Sequence, residues 1–178
     1  MRRRFLAPAL SLFLLASCDA GGTVVQGHLA AFPNLHTRLV RTQSTSLEAA
    51  ALHEHLSAAL VGEALTDGFL RAAESSRRRV AEGATVRIES VEYEALEITS
   101  QGPGGSHLQA SWLVTGTVRH GDHSHRRSTR YAGRYLIVDT PEGPRIAEER
   151  AGDAERLPAP PPTGDRSTSA LDLLVGPR

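Results

Sequence analysis

Between Leu108 and Val118 the chain alternates without a break. Leu108, Ala110, Trp112, Val114, Gly116 and Val118 fall on one side, and Gln109, Ser111, Leu113, Thr115 and Thr117 on the other. A period of two sustained over such a length is a strand with one buried face. A lone strand is not stable, and the flanking segments read as its partners. Thr85 to Thr99 is β-rich, but its phase slips: Val86 and Ile88 share a side, Val91, Tyr93 and Ala95 take the other, and Leu96 and Ile98 return to the first. Slips of this kind mark bulges, which bend and twist a strand. Gln101-Gly102-Pro103-Gly104-Gly105 is a turn cluster, and a tight turn near Gly121 leads into a long partner strand over Ser124 to Val138. Glu142-Gly143-Pro144 turns the chain again, into a short strand around Arg145 to Glu149.

Helices precede these strands. Thr45 and Glu48 have capping-box spacing, and Leu52, Leu56 and Leu60 follow on one helical face. Gly62 permits a break, after which Leu65, Phe69 and Ala72 or Ala73 make the apolar stripe of a second helix over about Glu63 to Glu82. Arg77-Arg78-Arg79 stands in its last turns, where cations complement the helix dipole, and Gly83 follows as its C′ residue. The expected class is α+β, with N-terminal helices packed on a bent antiparallel sheet of about four strands. That order resembles the cone-shaped folds of the nuclear-transport-factor-like superfamily. The resemblance implies an architecture and no activity, because such cones host enzymes, binding modules and inert scaffolds alike.

The N-terminus carries an address. Met1-Arg2-Arg3-Arg4 is a positive region, and the apolar run Phe5 to Ala16 is shorter than the about 20 residues a spanning helix needs. It reads as the core of a secretory signal. Leu15-Ala16-Ser17-Cys18 then resembles the lipobox of bacterial lipoproteins. The resemblance implies residues 1–17 as a signal peptide, cleavage before Cys18, acylation of its sulfur (as by palmitate) and of its new amine, and a bilayer-anchored protein on the periplasmic side of the cell envelope. In some lipoproteins an Asp directly after the Cys signals retention in the inner membrane, which the resemblance implies for Asp19. Several acyl chains on one residue make attachment effectively permanent. Loss of Arg2, Arg3 and Arg4 leaves 17 Arg against 20 acids, a formal charge of −3, so charge does not draw the body flat onto anionic lipid.

The single Cys excludes an intrachain disulfide, a CxxC pair and a cysteine-based zinc cluster. Balanced charge, 20 Arg against 20 acids with no Lys, lacks the basic footprint of a nucleic-acid binder. Residues 18–44 hold Gly21, Gly22, Pro33 and Asn34 without a sustained period and read as the lipidated Cys and a tether. Residues 45–157 read as the α+β domain, and 158–178 as a Pro-rich tail in which Leu171, Leu173, Leu174 and Val175 are candidates to dock back on the body.

One dense constellation stands at the central turn: His120, His123, His125, Arg127 and Tyr131. Strand residues two apart point the same way, so His123 and His125 share a side and His120 arrives from across the turn. Three imidazoles with one open position suit zinc, copper or nickel. Two other uses stay open: an anion or ligand held among His and Arg, with Arg127 and Tyr131 as its contacts, or side chains stacked across the sheet for structure alone. Arg119, Arg126 and Arg127 oppose a bound cation, and Asp122 is the one assignable nearby carboxylate.

Trp112, Val114, Gly116, Val118, His120, His123, His125, Arg127 and Tyr131 together resemble a motif of a bacterial envelope domain family. In that family a Trp strand leads through Gly-x-Val to His-Trp-Gly-His-x-His, and then Arg, Asn and Tyr fall at alternate positions. The likeness runs over residues 47–157 and departs at Gly121, Asp122 and Thr129. It implies a domain rather than a reaction, and some relatives are joined to multi-pass membrane proteins. Enzyme signatures are lacking. Ser111 and Ser124 have no nucleophile elbow, Gly102-Pro103-Gly104-Gly105 has no phosphate-loop Lys, and Glu89, Glu92, Glu94 and Glu97 read as solvated decoration. His53 and His55 diverge on a helix, and His28 and His107 have no recognisable partner. The expected function is a membrane-anchored, non-catalytic binding or scaffolding module with an envelope partner. The alternatives are a metal-binding lipoprotein and, third, a small-molecule enzyme using a cone cavity.

Overall fold

The computed structural model describes residues 20–158, with side chains from Val24 onward. The signal peptide, Cys18 and the tail beyond Pro158, with its Leu171 to Val175 segment, lie outside the described residues. Three helices, α1 (Ala20–Ser44), α2 (Ala49–Ser57) and α3 (Gly62–Ala81), precede four strands, β1 (Ala84–Gly102), β2 (Gly105–His120), β3 (His123–Thr140) and β4 (Gly143–Arg156). The strands form one antiparallel sheet in the order β1-β2-β3-β4, and the helices cover one of its faces. This is the α+β class that the alternation implies.

The phase slips of β1 are bulges. Its register against β2 shifts between Ile88 and Ser90, between Tyr93 and Ala95, and between Ile98 and Ser100. The first two extra residues restore the apolar set to the same side. Ile88 therefore lies opposite Gly116, Val91 opposite Val114, Tyr93 opposite Trp112, Leu96 opposite Ala110 and Ile98 opposite Leu108. Ala95 pairs instead with Ser111 on the outer face, not with Val91 and Tyr93 as the simple parity implies. Gly116 sits where β1 presses closest: a Cβ there would stand 2.6 Å from the Arg87 carbonyl oxygen.

The tether expected over residues 18–44 is corrected from Ala20 onward, because that stretch is the longest helix of the domain. His28, Phe32, His36, Leu39 and Thr42 recur at spacings of three and four and are buried along one stripe against the sheet. Pro33 leaves one intrahelical bond unmade, a loss that packing of this stripe outweighs. His28, without a recognisable partner in the sequence, is fixed at both ring nitrogens, by Ser106 Oγ at 2.8 Å and Asp139 Oδ1 at 3.2 Å.

The capping box of Thr45 and Glu48 does not form. Glu48 itself is the N-cap of α2 without a side-chain bond, and Thr45 Oγ1 donates back to the Arg41 carbonyl at the end of α1. Gly83, at φ 59°, follows the Glu82 C-cap of α3 in the left-handed conformation that favours glycine. β4 runs on to Arg156, well past the short strand expected. Its outer edge is partly covered by Leu60, which forms a parallel bridge to Ile146. The core joins Phe32 and Leu39 of α1, Leu56 of α2 and Leu60 to Leu108, Ile137 and Ile146 of the sheet, each at most 1% exposed.

Candidate functional site: a cleft between helix α1 and the sheet

Alternation and register line up the inward-facing residues in rows across the sheet. From the packed end towards the β2–β3 turn these are Ile98–Leu108–Tyr135, Tyr93–Trp112–Tyr131, Ile88–Gly116–Arg127 and Val86–Val118–His125. Helix α1 crosses the first two rows and ends at Ser44. Between its C-terminal half and the apolar face of the sheet a cleft of about 400 Å³ remains. The α1 side chains in its wall are His36, Val40, Gln43 and Ser44, with Arg71 from α3. The sheet contributes Ile88, Trp112, Val114, Arg127, Tyr131 and Glu149 among others. A cleft of this size, apolar and aromatic with a few convergent polar groups, has the make-up of a small-molecule site.

His36 anchors the closed end of the cleft. Its ring is 1% exposed, stacks on Phe32 at 5.1 Å and meets Trp112 edge-on at 4.4 Å. Nδ1 lies 3.0 Å from the Tyr93 hydroxyl and Nε2 lies 3.0 Å from the Tyr135 hydroxyl. Tyr93 donates its own proton to the Pro33 carbonyl at 3.1 Å. Nδ1 therefore carries the imidazole hydrogen, and Nε2 accepts from Tyr135. This fully bonded neutral form is what burial favours, and desolvation lowers the His36 pKa from 6.5 to about 4. Burial raises the Tyr135 phenol above its usual range, and the nearby Glu149 charge adds to the effect.

Glu149 sits in the wall on β4 with its side chain 14% exposed and accepts from Arg71 Nη2 at 2.5 Å. Burial raises its carboxyl above the ordinary value, and the Arg71 guanidinium opposes that rise. Trp112 is 6% exposed and stacks on Tyr131 at 5.8 Å, so these two rings form an aromatic floor.

The structure brings the five sequence candidates onto one face of the sheet. Arg127 and Tyr131 line the cleft. His120, His123 and His125 extend the same face beyond it, at the turn. The His120 ring stacks at 5.8 Å on both His123 and His125, at 29° and 13° respectively. Imidazole lone pairs lie in the ring plane, so rings stacked this way direct them past one another. Among the described residues no group of three His, Cys, Asp or Glu side chains stands in position to hold a metal ion. Asp122 lies 3.5 Å from His123 Nδ1 at the exposed turn.

The glutamates expected to face water include Glu89 and Glu94, which the bulges turn outward. Glu89 meets Arg126 at 3.1 Å and Glu94 meets Arg130 at 2.9 Å. His36, Arg71 and Glu149 escaped the sequence reading. The one signal for His36 was the spacing of His28, Phe32, His36 and Leu39, which Pro33 and the neighbouring glycines masked. Nothing local distinguishes Glu149 from Glu148 beside it.

Among the described residues no helix is long and apolar enough to cross a membrane. No family model matches the chain, and no curated protein sequence matches it. Among solved structures the chain is similar to the intermembrane space region of the chloroplast protein ARC6. The identity is 16% and the TM-score 0.48, over 69% of this chain and 95% of that one.

Proposed function

We propose that this chain is a lipid-anchored envelope protein whose body binds a small, mostly apolar molecule in the cleft between α1 and the sheet. The observation that carries the binding reading is the cleft itself. About 400 Å³ stays open over Ile88, Trp112, Val114 and Tyr131, between these residues and the C-terminal half of α1. Apolar surface left open in a domain that could have closed over it is a recognition surface first. His36, with both ring nitrogens bonded, and the Arg71–Glu149 pair stiffen the wall, so a ligand meets a pre-organised site.

The Leu15-Ala16-Ser17-Cys18 motif supports the anchor. Helix α1 starts at Ala20, two residues past Cys18, so an acylated Cys18 leaves almost no slack between lipid and body. At 1.5 Å per residue, Ala20 to Gln43 spans about 35 Å. The α1 residues in the cleft wall all fall in its C-terminal half, so the anchored end and the cleft stand at opposite ends of the helix. A ligand then reaches the cleft from the aqueous compartment or from an envelope partner. Labelled palmitate carried by the wild-type chain and absent from Cys18→Ala is the expected result for the anchor. Label on both proteins, or on neither, would overturn it.

The binding reading is tested with the neutral fluorescent probe N-phenyl-1-naphthylamine on residues 19–178, which retain every packed element. Saturable one-to-one binding is expected, weakened at least ~10-fold by Ile88→Trp, which fills the cleft from β1. Equal binding by the two proteins places the probe elsewhere and refutes the reading. General acid–base catalysis is a second reading, favoured by the raised carboxyl of Glu149 beside bound-ligand space. It requires turnover of a bound compound that Glu149→Gln abolishes while binding persists.

A further inference from the structure

The charged groups in the cleft wall divide into one pair, Arg71 with Glu149, and one that is free, Arg127. His36 spends both nitrogens on Tyr93 and Tyr135, and the Glu149 carboxylate is held by Arg71. Three arginines follow one another on β3 with different fates. Arg126 and Arg130 face outward and are paired, the first with Glu89 and the second with Glu94 and Glu155. Arg127 faces inward, opposite Gly116, and lines the cleft. Among the described residues it makes no hydrogen bond or ion pair, in a domain where its outward neighbours on the same strand are matched.

The Arg127 side chain itself is exposed, so its guanidinium is open to a ligand at the rim of the cleft. Charge around the cleft points the same way. Arg71, Arg127 and Glu149 are the charged groups in its wall, a net positive set, and Glu149 is its single acid among the described residues. His125, His123 and His120 continue the face beyond Arg127 towards the turn. A cationic ligand would meet Arg127 with no free acid to receive it. A fully neutral ligand would leave the Arg127 fork unused.

Resting on the reading of the cleft as a binding site, we propose that its ligand is an amphiphile with a single anionic head, a carboxylate in the simplest case. The head is gripped at the mouth by the Arg127 guanidinium, and the apolar body lies on Ile88, Val114, Trp112 and Tyr131. A planar guanidinium offers a carboxylate two parallel N–H donors, which fixes the head's orientation as well as its place. Arg127 is thus the specificity-determining residue, and the aromatic floor supplies the bulk of the affinity.

The test displaces N-phenyl-1-naphthylamine from residues 19–178 with dodecanoate, below its micellar concentration, or with dodecanol, a neutral competitor of equal chain length. Arg127 is exposed and unpaired, so Arg127→Gln should fold, and the probe affinity of each protein is measured first so that displacement is compared as competitor inhibition constants. Dodecanoate should displace the probe from wild type at a concentration about 10-fold lower than from Arg127→Gln, with Arg127→Lys between them. The preference for dodecanoate over dodecanol should be largest in wild type and lost in Arg127→Gln. Equal displacement by dodecanoate from wild type and Arg127→Gln would overturn the head-group assignment while leaving the cleft reading in place. Dodecanol competing as well as dodecanoate on wild type would do the same. Failure of the probe to bind wild type would overturn the cleft reading and this inference with it.

Discussion

Replacing His36 by Phe keeps a flat ring against Phe32 but removes the one buried imidazole whose proton affinity the fold strongly suppresses. The native pKa is about 4 against 6.5 for the unfolded chain. Between those values the unfolded chain binds a proton that the folded chain refuses. Stability tied to His36 is therefore complete above pH 6.5 and drains away as pH falls towards 4. At 1.36 kcal/mol per pKa unit, the loss relative to neutral pH is about 2 kcal/mol at pH 5 and about 3 kcal/mol at pH 4. The variant also strands the Tyr135 hydroxyl, which costs about 1–3 kcal/mol at every pH and so leaves the slope untouched. Tyr93, Tyr135 and Glu149, the titratable groups near the ring, are common to both proteins. Urea unfolding followed by circular dichroism at pH 7, 5 and 4 gives the comparison directly. Wild type should lose about 3 kcal/mol more than His36→Phe between pH 7 and 4. Parallel pH profiles would mean that His36 is not held neutral by burial, and the description of the closed end of the cleft would be wrong.

Two further substitutions probe how the cleft is built. Phe32→Ala empties a fully buried position where α1 meets the sheet, and urea denaturation should register a loss of about 3–5 kcal/mol. A loss below ~1 kcal/mol would mean that α1 is dispensable to the core. Gly116→Ala forces a Cβ to within 2.6 Å of the Arg87 carbonyl unless β1 yields, and should lower stability by about 1–3 kcal/mol, read from the same transition. An unchanged midpoint would show that the bulge beside Ser90 absorbs the extra methyl without strain.

The strand scaffold was legible in the sequence because its signal is local. The alternation of β2 and the phase slips of β1 are both periodicity effects: the first bulge falls where the parity breaks, the second just before Ala95 rather than after it, and the third, past Ile98, leaves no apolar residue to mark it. Turn glycines at 83 and 121 mark ends that the structure keeps. Helix α1 was not legible as such: Gly21, Gly22, Pro33 and Asn34 lower local helix propensity, and the helix owes its stability to tertiary burial of His28, Phe32, His36 and Leu39. Half of the cleft was visible for the same reason that β2 was, since Arg127 and Tyr131 share the face of Trp112. The other half depends on contacts between residues far apart in sequence. Arg71 meets Glu149 across 78 positions, and His36 meets Tyr135 across 99. No local pattern encodes such pairings.

Trp112 is the only tryptophan in the chain and forms part of the cleft wall, so its emission reports on that wall alone. Titrating residues 19–178 with N-phenyl-1-naphthylamine while exciting Trp112 tests directly whether this is where a ligand binds. The account predicts saturable quenching of the tryptophan, complete near one equivalent at protein concentrations above the dissociation constant, with matching rise of probe emission. Probe emission that saturates while Trp112 stays unquenched would contradict it.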